Sequence, residues 1–375
     1  EAPSVRRIGV EQSNSSMIVN EQLVLKLYRR LQSGVQPEIE MARFLTEVAG
    51  FANTPAYLGS MHRVGGGGEE TALGIAFALV PNQGDGWNYT VNWLQRFMEE
   101  ETLERTGEHD EAGVLFAEYA GLAEMLGLRT AEMHRGLAVE TDEAAFAGEP
   151  IGSSDMAAWA DGVRQQHALA RTALQRALGQ VEGPHRARAE AVLASERLID
   201  RRIDELTSAP VDALKTRIHG DYHLGQVLVS HNDFFIIDFE GEPARTLEQR
   251  RQKSSPLKDV AGMLRSFDYA AYQASRWAVD QPLPHPEAAA TAAESWGRLV
   301  QDIFLTAYIE AIDGAPSWPG DDHARRLLDL FLLEKALYEI VYEATNRPRW
   351  LEVPLSGLAR LLSMEMPDGE TPLES

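Results

Sequence analysis

Apolar and polar positions alternate along the first part of the chain at the two-residue period of half-buried strands. Residues 5–10 predict a strand, 11–16 a turn, and 17–19 and 23–28 two further strands joined by Asn20-Glu21-Gln22. Pro37-Glu38 predicts the start of a helix through about residue 49, because proline fits a first turn and acids favour the positive end of the helix dipole. Strands over roughly 57–64 and 72–80 follow, with Gly65-Gly66-Gly67-Gly68 between them. Strands, one helix and more strands make a small β-rich lobe over residues 1–81.

Beyond Pro81-Asn82-Gln83-Gly84-Asp85-Gly86 the apolar period lengthens to that of helices. Residues 92–104 and 113–136 carry Leu115, Tyr119, Leu122, Met125, Leu126 and Met133 at helical spacing. Residues 139–155 read as loop, and 156–206 as a long helical region broken near Gly183-Pro184. Further helices are expected over 257–279, 286–314, 324–346 and 355–363. One hairpin interrupts this helical lobe of residues 82–375. Val227-Leu228-Val229 and Phe234-Phe235-Ile236-Ile237 read as strands joined by the turn Ser230-His231-Asn232-Asp233. The expected class is α+β, with two lobes.

The hairpin carries the candidate chemistry. Asp221 precedes its first strand and Asp238 follows its second, so both carboxylates reach the same end. Phosphoryl transfer needs such a pair: one carboxylate to accept a hydroxyl proton, the other to hold Mg²⁺ on a nucleotide. Gln226 lies where an amide oxygen could join Asp238 on the metal. Two turn aspartates beside a surface hairpin would look similar locally, but Lys26 adds a third element. It sits in an otherwise apolar strand, and a buried lysine is costly unless paired. Glu40 is its expected partner, oriented by the apolar Phe44 and Leu45, with Glu38 competing. Ser13, Asn14 and Ser15 lie in the 11–16 turn, whose N–H groups and hydroxyls suit a phosphate, although such turns are common without ligands. Gly65 to Gly68 read as a plain flexible hairpin, since no helix and no Gly-Lys-Ser/Thr follow. His219 and His223 would need a helix to hold zinc together, which Gly220 argues against. Arg250, Arg251, Lys253, Lys258 and Asp259 read as a solvated charged run. Lys335, Tyr338, Glu339 and Tyr342 share one helical face that fits sugar binding or a half-buried core edge.

Charge and composition narrow the partners. A net charge of −22 weighs against nucleic acid, and no basic segment suggests a membrane surface. There is no cysteine, hence no disulfide or thiolate metal site. With no long apolar run and no signal peptide, a cytoplasmic location is expected.

The stretches His219-Gly220-Asp221-Tyr222-His223-Leu224-Gly225-Gln226 and Ile237-Asp238-Phe239-Glu240-Gly241-Glu242-Pro243 resemble the maltokinases, within the aminoglycoside-phosphotransferase-like kinases. Pro81-Asn82-Gln83-Gly84-Asp85-Gly86-Trp87, Lys253-Ser254-Ser255-Pro256-Leu257-Lys258-Asp259 and Tyr338-Glu339-Ile340-Val341-Tyr342-Glu343 extend the resemblance over nearly the whole chain. It implies a bilobal, protein-kinase-like fold that moves the ATP γ-phosphate to the anomeric hydroxyl of maltose, with Mg²⁺ as cofactor. It implies Lys26 as the nucleotide lysine, Glu40 as its helix partner, Asp221 as the base, and Gln226 and Asp238 as metal ligands. Residues 78–81, with Ala78 and Val80, match the hinge that holds adenine. His223, Glu240, Lys253, Lys335, Tyr338 and Tyr342 are carried over to the sugar pocket. Maltose, ATP and a trehalose synthase partner or fusion are the implied partners, in an α-glucan pathway. The family usually carries an N-terminal cap, whereas this chain starts almost at the first expected strand, as a fusion's C-terminal part or a trimmed chain would. The same chemistry on an aminoglycoside or another sugar, and a silent maltose-binding module, are the competing expectations.

Overall fold

The computed structural model describes residues 3–9, 14–104, 111–180 and 183–362. Strands β1 (Val5–Arg7), β2 (Asn14–Val19) and β3 (Leu23–Tyr28) form the expected meander. Helix α1 (Pro37–Arg43) continues into a π-type turn at Phe44–Val48, and the hairpin of β4 (Tyr57–Val64) and β5 (Glu70–Ala78) follows. The sheet is antiparallel in the order β1-β2-β3-β5-β4, so β3 lies at its centre. The expected 11–16 turn divides: Glu11, Gln12 and Ser13 lie outside the described residues, and Asn14 and Ser15 are strand residues paired with Tyr28 and Leu27. β2 alternates buried and half-buried positions from Asn14 onward, so its polar start already follows the strand period.

Helix α1 is buried on two sides. Ile39 and Ala42 pack with Tyr28, Ala72 and Ile75 on the sheet. Phe44, just past its end, stacks on Phe146 with ring centroids 3.8 Å apart.

The rest is mainly helical. In order come α2 (Gly86–Glu104), α3 (Glu111–Gly136), β6 (Glu149–Pro150), α4 (Ser153–Ala177), α5 (Gly183–Ala194), α6 (Glu196–Leu206) and β7 (Leu214–Lys215). The hairpin strands β8 (Val227–Ser230) and β9 (Asp233–Ile236) precede α7 (Leu247–Arg250), α8 (Leu257–Asp280), α9 (Pro286–Ile312), α10 (Asp321–Asn346) and α11 (Glu352–Leu361). Segment 139–155, expected as loop, contains β6, which pairs with β7. α9 packs against α3 and α8 around the buried Phe267, Trp296, Phe304 and Tyr308, and α10 lies across α4 and α8. The hairpin matches its expected register, Val227 opposite Ile236, and His231 and Asn232 turn it with positive φ. Buried Val227, Val229, Phe234 and Ile236 seat it on the helical core. Among the described residues no helix is long and apolar enough to cross a membrane.

The α3–α9 crossing depends on one small residue. A Cβ at Gly127 would lie 3.0 Å from Ala307 Cβ and closer still to the Phe304 carbonyl oxygen. Gly127→Ala should therefore lower the unfolding free energy by about 1–3 kcal/mol through overpacking, read by urea denaturation. An unchanged midpoint would show that this contact does not set the helix spacing.

Candidate active site

Lys26 alternates with its neighbours onto the buried side of β3 and is only 8% exposed. Its Nζ lies 2.9 Å from Glu38 Oε1, 2.7 Å from Asp238 Oδ1 and 2.7 Å from Glu240 Oε1. Tyr28 donates to Glu38 Oε2 at 2.8 Å, and the Asn14 amide donates to Glu240. Burial alone would lower the Lys26 ammonium, but Glu38, Asp238 and Glu240 together raise it well above its ordinary value. Burial pushes the Glu38 carboxyl up; Lys26 opposes this, while the nearby acids Asp238 and Glu240 add to it.

The lysine's helix partner is thus Glu38 and not the expected Glu40. Glu38 is one turn before Ala42, on the sheet side of α1, whereas Glu40 is one turn before Phe44, on the side facing the helical part. Phe44 and Leu45 are both buried, but against different surroundings, so apolar spacing alone pointed to the wrong acid. Glu40 accepts a bidentate pair from Arg251, at 2.8 and 3.0 Å, and a further bond from Arg217.

Asp238 follows β9 with φ +64°, a conformation that costs a non-glycine residue roughly 1–3 kcal/mol and persists only where its surroundings demand it. Burial alone would raise its carboxyl, yet Lys26, His219 and a hydrogen bond from Gln226 bring it below the ordinary range. Gln226 and Asp238 therefore meet as expected from sequence. Carboxylate oxygens of Glu38, Asp238 and Glu240 also lie within 4.8 Å of one another. This hard, oxygen-only donor set with surplus negative charge fits Mg²⁺.

Asp221 sits in a loop whose backbone is fixed from below. The buried Asp259, near the start of α8, accepts from the N–H of His219 at 2.7 Å and of Gly220 at 2.8 Å. His134 Nε2 lies 3.2 Å from the same carboxylate, and His134 Nδ1 is 3.0 Å from the Tyr308 hydroxyl. His219 Nε2 bonds the Ile237 carbonyl at 2.9 Å, tying the loop to the end of the hairpin. A Cβ at Gly262 would meet the Tyr222 carbonyl oxygen at 2.5 Å, so α8 passes directly under the loop. Among the described residues the Asp221 carboxylate itself makes no hydrogen bond or ion pair. Asp259 is the loop anchor that sequence reasoning missed, because it was read as part of a solvated charged run. That reading also fails for Arg251, bonded to Glu40, and for Lys258, bonded to Glu334 at 2.7 Å. The available signal was the string of apolar neighbours Leu257, Val260, Ala261 and Met263, all buried, which leaves Asp259 no solvated face.

Asp221 opens onto a cavity of about 110 Å³ lined also by Glu242, Lys258, Glu334, Lys335 and Tyr338. Of the residues carried over to a sugar pocket, Lys335 and Tyr338 line this cavity, the lysine lying 5.2 Å from the tyrosine ring centroid. The other candidates do not line this cavity. Glu240 belongs to the Lys26 cluster. Lys253 pairs with Glu149 at 2.6 Å and donates to the Ala144 carbonyl, across the neighbouring cleft. Tyr342 is 44% exposed and stacks with Arg347, while Glu339 turns away to Arg265. His223 caps a short 3₁₀ turn by accepting from Gly225 N–H, and burial holds its imidazole below its ordinary value. Ala78 ends β5, and the Val80 carbonyl accepts from Asn82, in the segment that joins the sheet to the helical part. Ser15 Oγ accepts from Arg29 rather than facing the acids.

A central-strand lysine paired with a helix acid, facing a hairpin with a carboxylate at each base, over a helical body, is the arrangement of kinase-like phosphotransferases. The chain belongs to the phosphotransferase enzyme family, whose sequence model matches residues 4–241. It is 28% identical to a glucosamine kinase of Streptacidiphilus jiangxiensis over 97% of this chain and 74% of that protein. A glucosamine kinase of Mycolicibacterium smegmatis is also 28% identical, over 95% of this chain and 79% of the relative. Among solved structures, a glucosamine kinase in complex with glucosamine, ADP and inorganic phosphate aligns with a TM-score of 0.70 at 27% identity, covering 96% of this chain and 76% of the other.

Replacing Asp259 by Asn keeps its size but removes the charge that two loop N–H groups and His134 share. Asp259→Asn should cost about 1–3 kcal/mol of stability and lower kcat more than it changes acceptor KM, because the loop carrying Asp221 loses its anchor. The wild-type carboxyl lies below its ordinary value: burial opposes this, and His134, His219 and the Gly220 N–H outweigh it. Its stabilisation is therefore complete at neutral pH and is lost as pH falls below about 4. Denaturation curves between neutral pH and pH ~3 should show a smaller acid-induced loss in the variant; parallel curves would contradict the assignment.

Proposed function

We propose that this protein transfers the γ-phosphoryl group of ATP to a hydroxyl of a sugar, with an amino sugar of the glucosamine type as acceptor. One observation carries the reading: an Asp221 carboxylate unpartnered among the described residues faces a polar cavity on one side of the loop whose other end meets the Lys26 cluster. In this reading Asp221 orients the acceptor hydroxyl and takes its proton as the new P–O bond forms, while the bond to the ADP oxygen breaks. Lys26, held by Glu38, neutralises charge on the phosphates. Residues 78–81 would receive the adenine, and Asp238 with Gln226 would hold Mg²⁺, which when bound draws charge off the transferring group. Glu242 and Asp221 supply carboxylates that a sugar ammonium would meet, and both relatives above are glucosamine kinases.

Maltose is the second reading. It is supported by the resemblance of the 219–243 stretch to maltokinases and by a larger cleft that shares Gln166, Gly220, Glu242 and Glu334 with the cavity, giving room for a second ring. A trehalose synthase partner would follow from that reading alone.

A coupled ADP-release assay with glucosamine, glucose, maltose and an aminoglycoside decides between them. Glucosamine should give the highest kcat/KM; a clear preference for maltose would transfer the assignment to maltokinase, and no turnover with any of them would remove the catalytic reading. With the preferred acceptor, Asp221→Asn should lower kcat by roughly 10²–10⁴ with little change in acceptor KM. Near-normal turnover of that variant would sink the base assignment.

Lys26→Met should raise the KM for ATP and lower kcat together, because it removes both the phosphate contact and the only cation that Glu38 meets among the described residues. Unchanged ATP kinetics would place the nucleotide elsewhere.

A further inference from the structure

Beside the acceptor cavity lies a cleft of about 880 Å³, between α4 on one side and β7, α7 and the 251–254 segment on the other. Its lining has seven basic side chains against five carboxylates, in a chain whose net charge is −22. Most of these charges cancel pairwise: Lys258 with Glu334, Arg245 with Glu242, Lys215 with Asp155, Lys253 with Glu149. Arg217 and Arg251 do not, since both depend on the single carboxylate of Glu40. Glu248 is the cleft acid without a cation among the described residues, and Arg250 donates to the carbonyls of Pro243 and Arg245 and lies 4.0 Å from Glu240.

Arg217 is the second, independent sign. It is 1% exposed and donates one bond to Glu40, yet its Nε has no partner and its other terminal nitrogen has none among the described residues. A guanidinium this deep costs free energy unless its donors are used. Its face is packed against the Phe146 ring, so it cannot swing to solvent for relief. Two arginines on one carboxylate and the incompletely used Arg217 guanidinium therefore coincide on one wall of the cleft. A neutral sugar ring would satisfy some donors but leave the charge unmatched.

We propose that this cleft binds an anionic small molecule, one carrying a phosphate or a carboxylate, through Arg251 and the Arg217 wall. The anion belongs either to the far end of the acceptor or to a separate ligand; the chemistry recognised is the same. The proposal does not depend on which sugar is phosphorylated.

Calorimetric titration of the full chain with inorganic phosphate tests it directly, with the nucleotide site filled by a non-hydrolysable ATP analogue and ionic strength held by chloride. Saturable binding is expected, weakened about tenfold or more by Arg251→Gln, which removes a charge-assisted donor pair. Gln249→Glu is the second variant. It sets a new carboxylate in the cleft while keeping the capping box that Gln249 forms with Thr246, so α7 stays folded and phosphate binding should again weaken several-fold. Binding that is absent, or unchanged in both variants, overturns the proposal. Where phosphate binds, displacement by saturating glucosamine assigns the anion to the acceptor's far end, and simultaneous binding assigns it to a separate ligand. Both results uphold the site. Kinetics on the sugar panel reads the acceptor independently, so failure here and failure of the acceptor assignment are separable.

Discussion

The structure depends on one buried ammonium that meets three carboxylates. Glu38 comes from α1, while Asp238 and Glu240 lie two residues apart just after β9, and each lies within 2.9 Å of Lys26 Nζ. Burial drives the Glu38 carboxyl up, the neighbouring Asp238 and Glu240 add to this against the single ammonium, and Tyr28 also donates to it. Arg250 offers little help, its guanidinium being 4.0 Å from Glu240. Removing the lysine would leave unpaired buried acids, a defect usually worth several kcal/mol. The sheet, α1 and the base of the hairpin are thus held together by a cluster short of positive charge. A cation bound among these carboxylates would stabilise such a cluster further, so binding and local stability would act in the same direction.

A second division of labour separates two aspartates of identical chemistry. Asp259 is entirely committed: backbone N–H groups and His134 occupy its oxygens, and it stays ionised because they do. Asp221 is left uncommitted because that anchoring fixes its loop without using its own carboxylate. Environment and not residue type assigns the roles. Asp238 adds a third case, a carboxylate whose position requires a left-handed backbone that its ion pair and Gln226 hold in place.

The hairpin and the strands were legible because period, turn chemistry and burial agreed. Val227 to Ile236 alternates as it packs, and the polar His231-Asn232 turn takes the positive φ expected of such a loop. Lys26 was legible for a related reason: a charge inside an apolar strand has to be paired. What sequence could not give was the partner across the sheet–helix contact, since Glu38 and Glu40 are two residues apart and each has a buried apolar residue one turn later. Nor could it show that the 250–259 run is interior, because pattern records how charged a segment is but not what lies opposite it. Tyr342 and Lys335 illustrate the same limit. They share a helical face by spacing, yet the helix is longer than the cavity it borders, so one lines the site and the other meets solvent and Arg347.

The two acids of α1 give that helix a structural role larger than its seven residues suggest. On its sheet side Glu38 sets the position of Lys26; on its opposite side Glu40 is clamped by Arg217, four residues before Asp221, and by Arg251. Phe44 stacked on Phe146 fixes the same helix from its end, and Arg217 lies over that phenylalanine. Lys26 and the loop carrying Asp221 are therefore connected through little more than one helical turn, by contacts that are charged, buried and geometrically specific. A shift of α1 large enough to release Glu40 would also move Glu38, and with it the ammonium. The relative position of Lys26 and the Asp221 loop is thereby built into a single rigid element, and the long helices behind it supply the fixed frame on which that element bears.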